Sequence, residues 1–397
     1  MMNVQQLQVS GRAHAMLEKR LSGQAVHEVD TPALVADLDA VNRNLQRMSE
    51  FAARRKLRLR PQAGAHKSVG FALLQMQAGA AGLGAHTVAQ AEALAAHGIR
   101  DILIAGEVLA PAKLQRVAAL AQRMKKVHGD GRIAVVVDSA EGVERLAQAM
   151  QLTSALIDVF IEVDVGQGCC GVPPGDAVVQ LARLLAGRSS RLRYAGLYAR
   201  HGSAQRLPLM QERRAAIARA AALLQDTGRR LQEAGLPPPC ITGGGAGALA
   251  QEAASGVWNE IQPGSYLFMD ADSLAHERDP AQPQFEPALY VKSQVISVSA
   301  RHAVCDAGAN SLAAGHATPR VIALPGQPEL VYESCGGEHG ILRPAREGGA
   351  LPTLGDTVWL LPGHCGATIN LHGYYAVVGG GLAHGTVLAV LAVDKTP

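Results

Sequence analysis

From Asp30 to about Asp270 the chain alternates short apolar, β-branched runs with longer Ala/Leu-rich runs of helical texture. The short runs predict strands at Leu57–Ala63, Gly82–Ala85, Asp101–Ala105, Ile133–Val137, Asp158–Val163, Tyr194–Ala199, Cys240–Gly243 and Asn259–Gln262. Helix-like segments lie between them, among them Val88–His97, Pro111–Val127, Ser139–Gln151, Asp176–Ala186 and Leu209–Ala234. Strands that are each followed by a helix, or by a loop able to hold one, define a parallel (β/α)₈ barrel of TIM type. A doubly wound sheet is the competing architecture, but no GxGxxG opens a helix after the first strand.

Beyond Asp270 the texture changes. Pro and Gly become frequent, helical periodicity is lost, and short alternating runs appear at Ala288–Val298, Val321–Leu324, Glu329–Tyr332, Thr357–Leu361, Tyr374–Val378 and Val387–Leu391. This reads as an antiparallel β domain. The expected division is an N-terminal extension over 1–30, a barrel over 31–270 and a β domain over 271–397, with a strand near 31–39 joining the last.

Reactive groups in such a barrel sit at the C-terminal ends of strands and in the loops that come after them. The first strand runs out through Arg60-Pro61-Gln62-Ala63-Gly64-Ala65-His66-Lys67. Strict alternation puts Gln62, Gly64 and His66 on one face and aims Lys67 away, unless the chain kinks beyond Gly64. The seventh strand opens into Gly243, Gly244, Gly245 and Gly247, the eighth into Gly264, Ser265 and Tyr266. Together these form a candidate phosphate cup of backbone N–H groups, although glycine also serves ordinary tight turns. His66 and His201 are candidate acid–base groups or, equally, structural histidines. Vicinal Cys169 and Cys170 suggest a redox or metal pair, against the plainer expectation of buried thiols. In Pro362–Thr368 a strand would place His364 and Gly366 on one face and Cys365 on the other, which leaves a metal at His364 without a second ligand. Glu338-His339-Gly340 and Asp306-Ala307-Gly308 read either as polar walls of the site or as turns.

Composition narrows the function. The 18% of charged residues are scattered and leave a formal charge of only +3, so no basic stripe marks a nucleic-acid partner; aromatics at 4% do not build a stacking platform. Six irregularly spaced cysteines do not make a disulfide scaffold. No apolar run reaches membrane-spanning or secretory length, so the cytoplasm is the expected location, with no membrane partner.

The chain resembles the D-threonine aldolase and 3-hydroxy-D-aspartate aldolase group of the alanine-racemase-like (fold type III) pyridoxal-phosphate enzymes. The similarity runs through Thr31-Pro32-Ala33-Leu34, Asp164-Val165-Gly166-Gln167-Gly168, His201-Gly202-Ser203, Gln262–Asp272 and Pro362-Gly363-His364-Cys365 to Asn370-Leu371-His372. It implies an alanine-racemase N-terminal-like barrel, a homodimer with the site between barrel and β domain, pyridoxal phosphate (PLP) and a divalent metal. The family's first strand resembles R-P-H-x-K-T-H-K, whose first lysine forms the Schiff base. Here that position is Gly64, with Gln62 for the histidine and Ala65 for the threonine. Cys169 stands where the resemblance implies arginine, Arg200 where it implies tyrosine, and Gly366 where it implies a metal-binding carboxylate. Glycine can neither hold a cofactor covalently nor shuttle a proton. Expected from these exchanges is a diverged lyase-like enzyme on a small amino or hydroxy acid, with PLP or another phosphate-bearing ligand bound non-covalently. Its candidate residues are His66, His201, Arg200 and Cys169. A catalytically silent ligand-binding protein and an enzyme with a new His/Cys metal site are the alternatives.

Overall fold

The computed structural model describes residues 12–394. Strand β1 (Ala33–Asp37) precedes the barrel, whose strands are β2 (Arg58–Leu59), β3 (Leu83–Ala85), β4 (Asp101–Ile104), β5 (Arg132–Val137), β6 (Ile157–Glu162), β7 (Leu192–Ala199), β8 (Cys240–Gly243) and β9 (Glu260–Ile261). They pair in parallel in the order β2-β9-β8-β7-β6-β5-β4-β3. The Gln62–Gly84 bridge, with Gly84 N–H on Pro61 O at 2.8 Å, closes the ring between the exit of β2 and β3. The uninterrupted apolar runs of the sequence now have their cause. Strands such as Ile133–Val137 are buried throughout because helices cover their outer face. Local chemistry sets the helix limits: Pro111 opens the helix Pro111–His128 and Gly129, with positive φ, ends it.

The β domain comprises β10 (Leu289–Val298), β11 (Ala303–Cys305), β12 (Arg320–Ile322), β13 (Leu330–Cys335), β14 (His339–Pro344), β15 (Thr357–Leu361), β16 (Tyr374–Gly379) and β17 (Thr386–Ala392). With β1 they form one sheet, in the order β11-β14-β13-β12-β15-β10-β1-β16-β17. β1 lies antiparallel to β10 and parallel to β16, so the joining strand anticipated near 31–39 does belong to this sheet. The parallel β1–β16 pair is an exception to the antiparallel expectation. Glu338 and His339 lie at the β13–β14 hairpin, and Asp306 accepts from Ser293 Oγ and the Gln294 N–H. Neither segment lines the barrel mouth, so the polar-wall reading of both is replaced by a structural one.

A shared apolar core fixes the two parts to one another directly behind the site. Phe71, from the helix after the first strand, packs edge-on against Phe268 at 5.0 Å and against Tyr375 of β16 at 5.1 Å between ring centroids. All three rings are buried. Such ring pairs each add about 0.5–1.5 kcal/mol beyond area burial, so the mouth of the barrel meets the β domain at a stiff joint.

Candidate functional site

A cavity of about 700 Å³ opens at the C-terminal end of the barrel, within the size range of small-molecule sites. The first-strand exit, the loop beginning at Arg200 and the two glycine loops form its floor and sides; residues 268–285 and His364–Asn370 form its cover. The cover is tied down. Arg213 donates to the carbonyls of Pro208 and Glu277, Gln282 Nε2 donates to Ala246 O at 2.8 Å, and Asp279 accepts from Arg214.

Alternation along the first strand ends earlier than expected. β2 stops at Leu59 and Ala63–Ala65 forms a 3₁₀ turn, with Lys67 N–H on Ala63 O at 2.7 Å. Past the turn Lys67 takes a positive φ and lines the cavity with Gln62 and Gly64, whereas His66 does not. The parity reading is therefore reversed for His66 and Lys67 and kept for Gln62 and Gly64. His66 is fully buried, its Nε2 3.1 Å from Gln75 Oε1 and its Nδ1 accepting the Ser68 N–H; burial pushes its pKa down to about 4. It is outside the cavity wall, and its candidacy as an acid–base group is withdrawn. Lys67, with φ +49°, lines the cavity and donates to Gly366 O at 3.4 Å and to Asn370 Oδ1.

Over Gly64 stands a residue the sequence did not single out. The His86 ring lies with Cδ2 2.8 Å from the place a Cβ on residue 64 would take. Burial, then the Arg200 and Lys67 charges, hold its pKa below the usual imidazole range. A neutral imidazole at this point can take or give a proton at the cavity wall.

The glycine loops divide. Gly245, Gly247, Gly264 and Ser265 line the cavity, whereas Gly243, Gly244 and Tyr266 lie behind it. Gly243 and Gly244 have positive φ, and a Cβ on Gly243 would fall 1.9 Å from Ala199 O, so glycine is required there by close backbone approach. Behind Gly244, buried Glu252 accepts the Gly245 N–H at 3.0 Å; burial pushes its carboxyl up to about 7, against that hydrogen bond and the Arg200 charge. Above the loop lies Gln205, whose amide would meet a Cβ on Gly245 at 2.0 Å. Gln205 Nε2 is buried without an acceptor, and so is Gln62 Oε1 without a donor. Both residues line the cavity. A donor orphaned over a glycine loop fits an anionic group such as a phosphate.

Arg200 also lines the cavity and makes no ion pair among the described residues. His201 does not line it: its Nδ1 is 3.3 Å from Ser203 Oγ and its ring packs against Gly166 in the Asp164–Gly168 loop. Cys169 and Cys170 are exposed free thiols with Sγ atoms 3.9 Å apart, and neither lines the cavity. The expectation of buried thiols is thus overturned. Next to them Glu162 is pushed up to about 9, by burial and by the neighbouring Glu107 carboxyl.

The Pro362–Thr368 segment is not a strand. His364 caps the short helix Cys365–Ile369, its Nδ1 accepting the Ala367 N–H at 3.1 Å, and it stacks on His316 at 4.6 Å. Cys365 lines the cavity, but its buried thiol donates to Met269 O and stays protonated, its pKa raised by burial. A Cβ on Gly366 would face His364 Cε1 at 3.3 Å, so a carboxylate there would meet the histidine; glycine offers none. Among the described residues no three His, Cys, Asp or Glu side chains group as metal ligands. The residues present around His364 do not fit a divalent ion, and Cys169 and Cys170 join no three-ligand group among the described residues.

A barrel whose late strands open into glycine loops beneath a sheet domain defines the class: the alanine-racemase-like fold. The chain belongs to the family described as "Alanine racemase, N-terminal domain", whose model matches residues 36–272; residues 288–378 match "Putative serine dehydratase domain". It is 40% identical to a D-threonine aldolase from Arthrobacter sp over 91% of this chain and 92% of that one. It is 34% identical to a 3-hydroxy-D-aspartate aldolase from Paracoccus denitrificans (strain Pd 1222) over 94% and 95%. The crystal structure of a D-threonine aldolase from Filomicrobium marinum superposes with a TM-score of 0.87 at 38% identity, over 94% of this chain and 97% of that one. No helix among the described residues is long and apolar enough to cross a membrane.

Proposed function

We propose that this chain is a lyase-type enzyme acting on a small amino or hydroxy acid, with a phosphate-bearing cofactor of pyridoxal type seated on its glycine loops and no bond to residue 64. The observation that carries this reading is a surplus of donors. Arg200, Lys67 and Gln205 Nε2 all face one cavity with no carboxylate partner among the described residues. An anionic ligand relieves that surplus.

The phosphate end of the cofactor fits the N–H groups of Gly247 and Ser265 and the orphaned Gln205 amide; the covalent end finds no amine at Gly64. When bound, pyridoxal phosphate supplies an electron sink for cleavage next to an amino-bearing carbon. The chain's own residues do the rest. Arg200 holds the acid's carboxylate, and its planar fork orients it. Gln62 Oε1 accepts from a ligand N–H or O–H. His86 moves a proton at its ring nitrogen between ligand and cavity. The cover of residues 268–285 excludes water.

The test is cleavage of D-threonine and of a D-3-hydroxyaspartate by the purified protein with added pyridoxal phosphate, alongside calorimetric binding of the same acids. Aldehyde release that Arg200→Ala abolishes supports the reading. Absence of both cleavage and binding overturns it, while binding without turnover favours the silent ligand-binding alternative.

A further inference from the structure

Lys67 is the cavity's amine. Its backbone is fastened on both sides, by Lys67 N–H on Ala63 O and by Asp394 N–H on Lys67 O at 2.6 Å, so the positive φ that aims the side chain inward is built in. Its Nζ donates to two neutral acceptors, Gly366 O and Asn370 Oδ1, and takes part in no ion pair among the described residues. It lines the same cavity as Gly64, and its charge is felt at His86, whose ring covers Gly64. A half-buried amine held by neutral acceptors, beside a neutral imidazole and a guanidinium, has the surroundings of a carbonyl-capturing lysine.

We infer that Lys67 Nζ captures the carbonyl carbon of a small aldehyde or 2-oxo acid in this cavity, doing from three residues further on what residue 64 cannot. The amine lone pair forms the N–C bond and one N–H proton passes to the carbonyl oxygen. The resulting hydroxyl leaves with the second proton as water, and the C=N bond remains. Burial, which holds Lys67 below the ordinary lysine range, enlarges the fraction of free amine available for this step. The inference rests on the proposed anion-binding cavity for the placing of the ligand, not on any lyase activity. The carbonyl has two possible sources, the aldehyde of pyridoxal phosphate and a small 2-oxo acid held by Arg200.

The experiment is borohydride trapping of the full chain with pyridoxal phosphate in one arm and glyoxylate in the other, read by intact mass and peptide mapping. Reversible binding is measured by calorimetry before the reductant is added. Expected is a single reduced adduct on Lys67 in at least one arm, which also identifies the carbonyl source, and its loss in Lys67→Arg, which keeps the charge. Far-ultraviolet circular dichroism and a thermal melt check that the variant is folded. Adducts spread over exposed Lys113, Lys125 and Lys126 with Lys67 unmodified overturn the inference, as does an adduct pattern unchanged in Lys67→Arg. Binding without any adduct sinks this inference alone; absence of binding takes the proposed function with it.

Discussion

The His86 imidazole occupies the space above Gly64, with Cδ2 2.8 Å from where a β-carbon on residue 64 would stand. A lysine placed at this position must displace the ring, but the ring borders the open cavity and has somewhere to go. Gly64→Lys is therefore expected to fold, at a cost of roughly 1–3 kcal/mol. It should gain a long-wavelength absorbance with pyridoxal phosphate that resists dialysis. The absorbance spectrum, with a denaturation midpoint, checks both parts, and Gly64→Lys combined with His86→Ala should recover the lost stability.

Arg200 should dominate the binding of the acid. A charge-assisted pair is worth about 1.5–3 kcal/mol, so Arg200→Ala is expected to weaken carboxylate binding by about ten- to a hundredfold. Arg200→Lys should fall between, because an ammonium cannot reproduce the bidentate fork. Calorimetry on the three proteins decides this; unchanged affinity in Arg200→Ala would remove Arg200 from the site.

Glu252 gives the cavity a pH response. Its folded pKa, pushed up to about 7 chiefly by burial, lies above the ordinary 4.5, so the folded protein holds a proton that the unfolded chain releases. Stability from this group is therefore complete below about pH 4.5, declines as pH rises towards 7, and is level above. Glu252→Gln, whose amide oxygen still accepts the Gly245 N–H, is expected to remove that slope and add up to roughly 3 kcal/mol above neutrality. Urea melts across the range measure it. The same ionisation, one hydrogen bond from the glycine loop, should weaken phosphate binding above pH 7 in the parent and not in the variant.

Beneath the site runs a buried ion cluster. Arg60 Nε donates to Glu260 Oε1 and Arg60 Nη1 to Asp101 Oδ1, both at 2.7 Å, while Thr242 and Gln262 extend the chain of hydrogen bonds to Gln62. Burial alone would raise the Glu260 carboxyl, but Arg60 overcomes it and holds the pKa below the usual value. Its contribution is thus present above the unfolded carboxylate pKa and is lost as pH falls through the folded one. Removing the carboxylate leaves Arg60 buried with one partner, so Glu260→Ala should cost about 3–5 kcal/mol. Chemical denaturation at neutral pH checks this, and a loss below about 1 kcal/mol would show the cluster to be dispensable.

The barrel is legible in the sequence because strands such as β4, β5 and β6 are buried almost throughout and several helices carry their own start chemistry, as at Thr87, Pro111 and Ser139. The short strand β11 is not, since three residues of alternation in Ala303–Cys305 are indistinguishable from a loop, and β14 is masked by Gly340 and Pro344 within its six residues. The joining strand can be read from Thr31–Asp39 because it lacks the helical period of the neighbouring Leu38–Arg54 helix. At the site, Arg200, two of the four residues read from the first glycine loop and two of the three from the second line the cavity. His66 and Lys67 are exchanged, because strand parity cannot register a 3₁₀ turn that begins at Ala63. His86, Gln205 and Glu252 carry no motif. They become visible only where the fold leaves a buried polar atom unpaired, as at Gln205 Nε2, or lays a ring across a glycine, as at His86.

The most direct measurement is a crystal structure of the protein soaked with pyridoxal phosphate and D-threonine. Expected is phosphate density between Gly247 and Ser265 under the Gln205 amide, with the amino acid's carboxylate on Arg200. Phosphate seated away from both glycine loops, or a cavity that stays empty at saturating ligand, would contradict the anion-binding, glycine-loop site on which the proposed function stands.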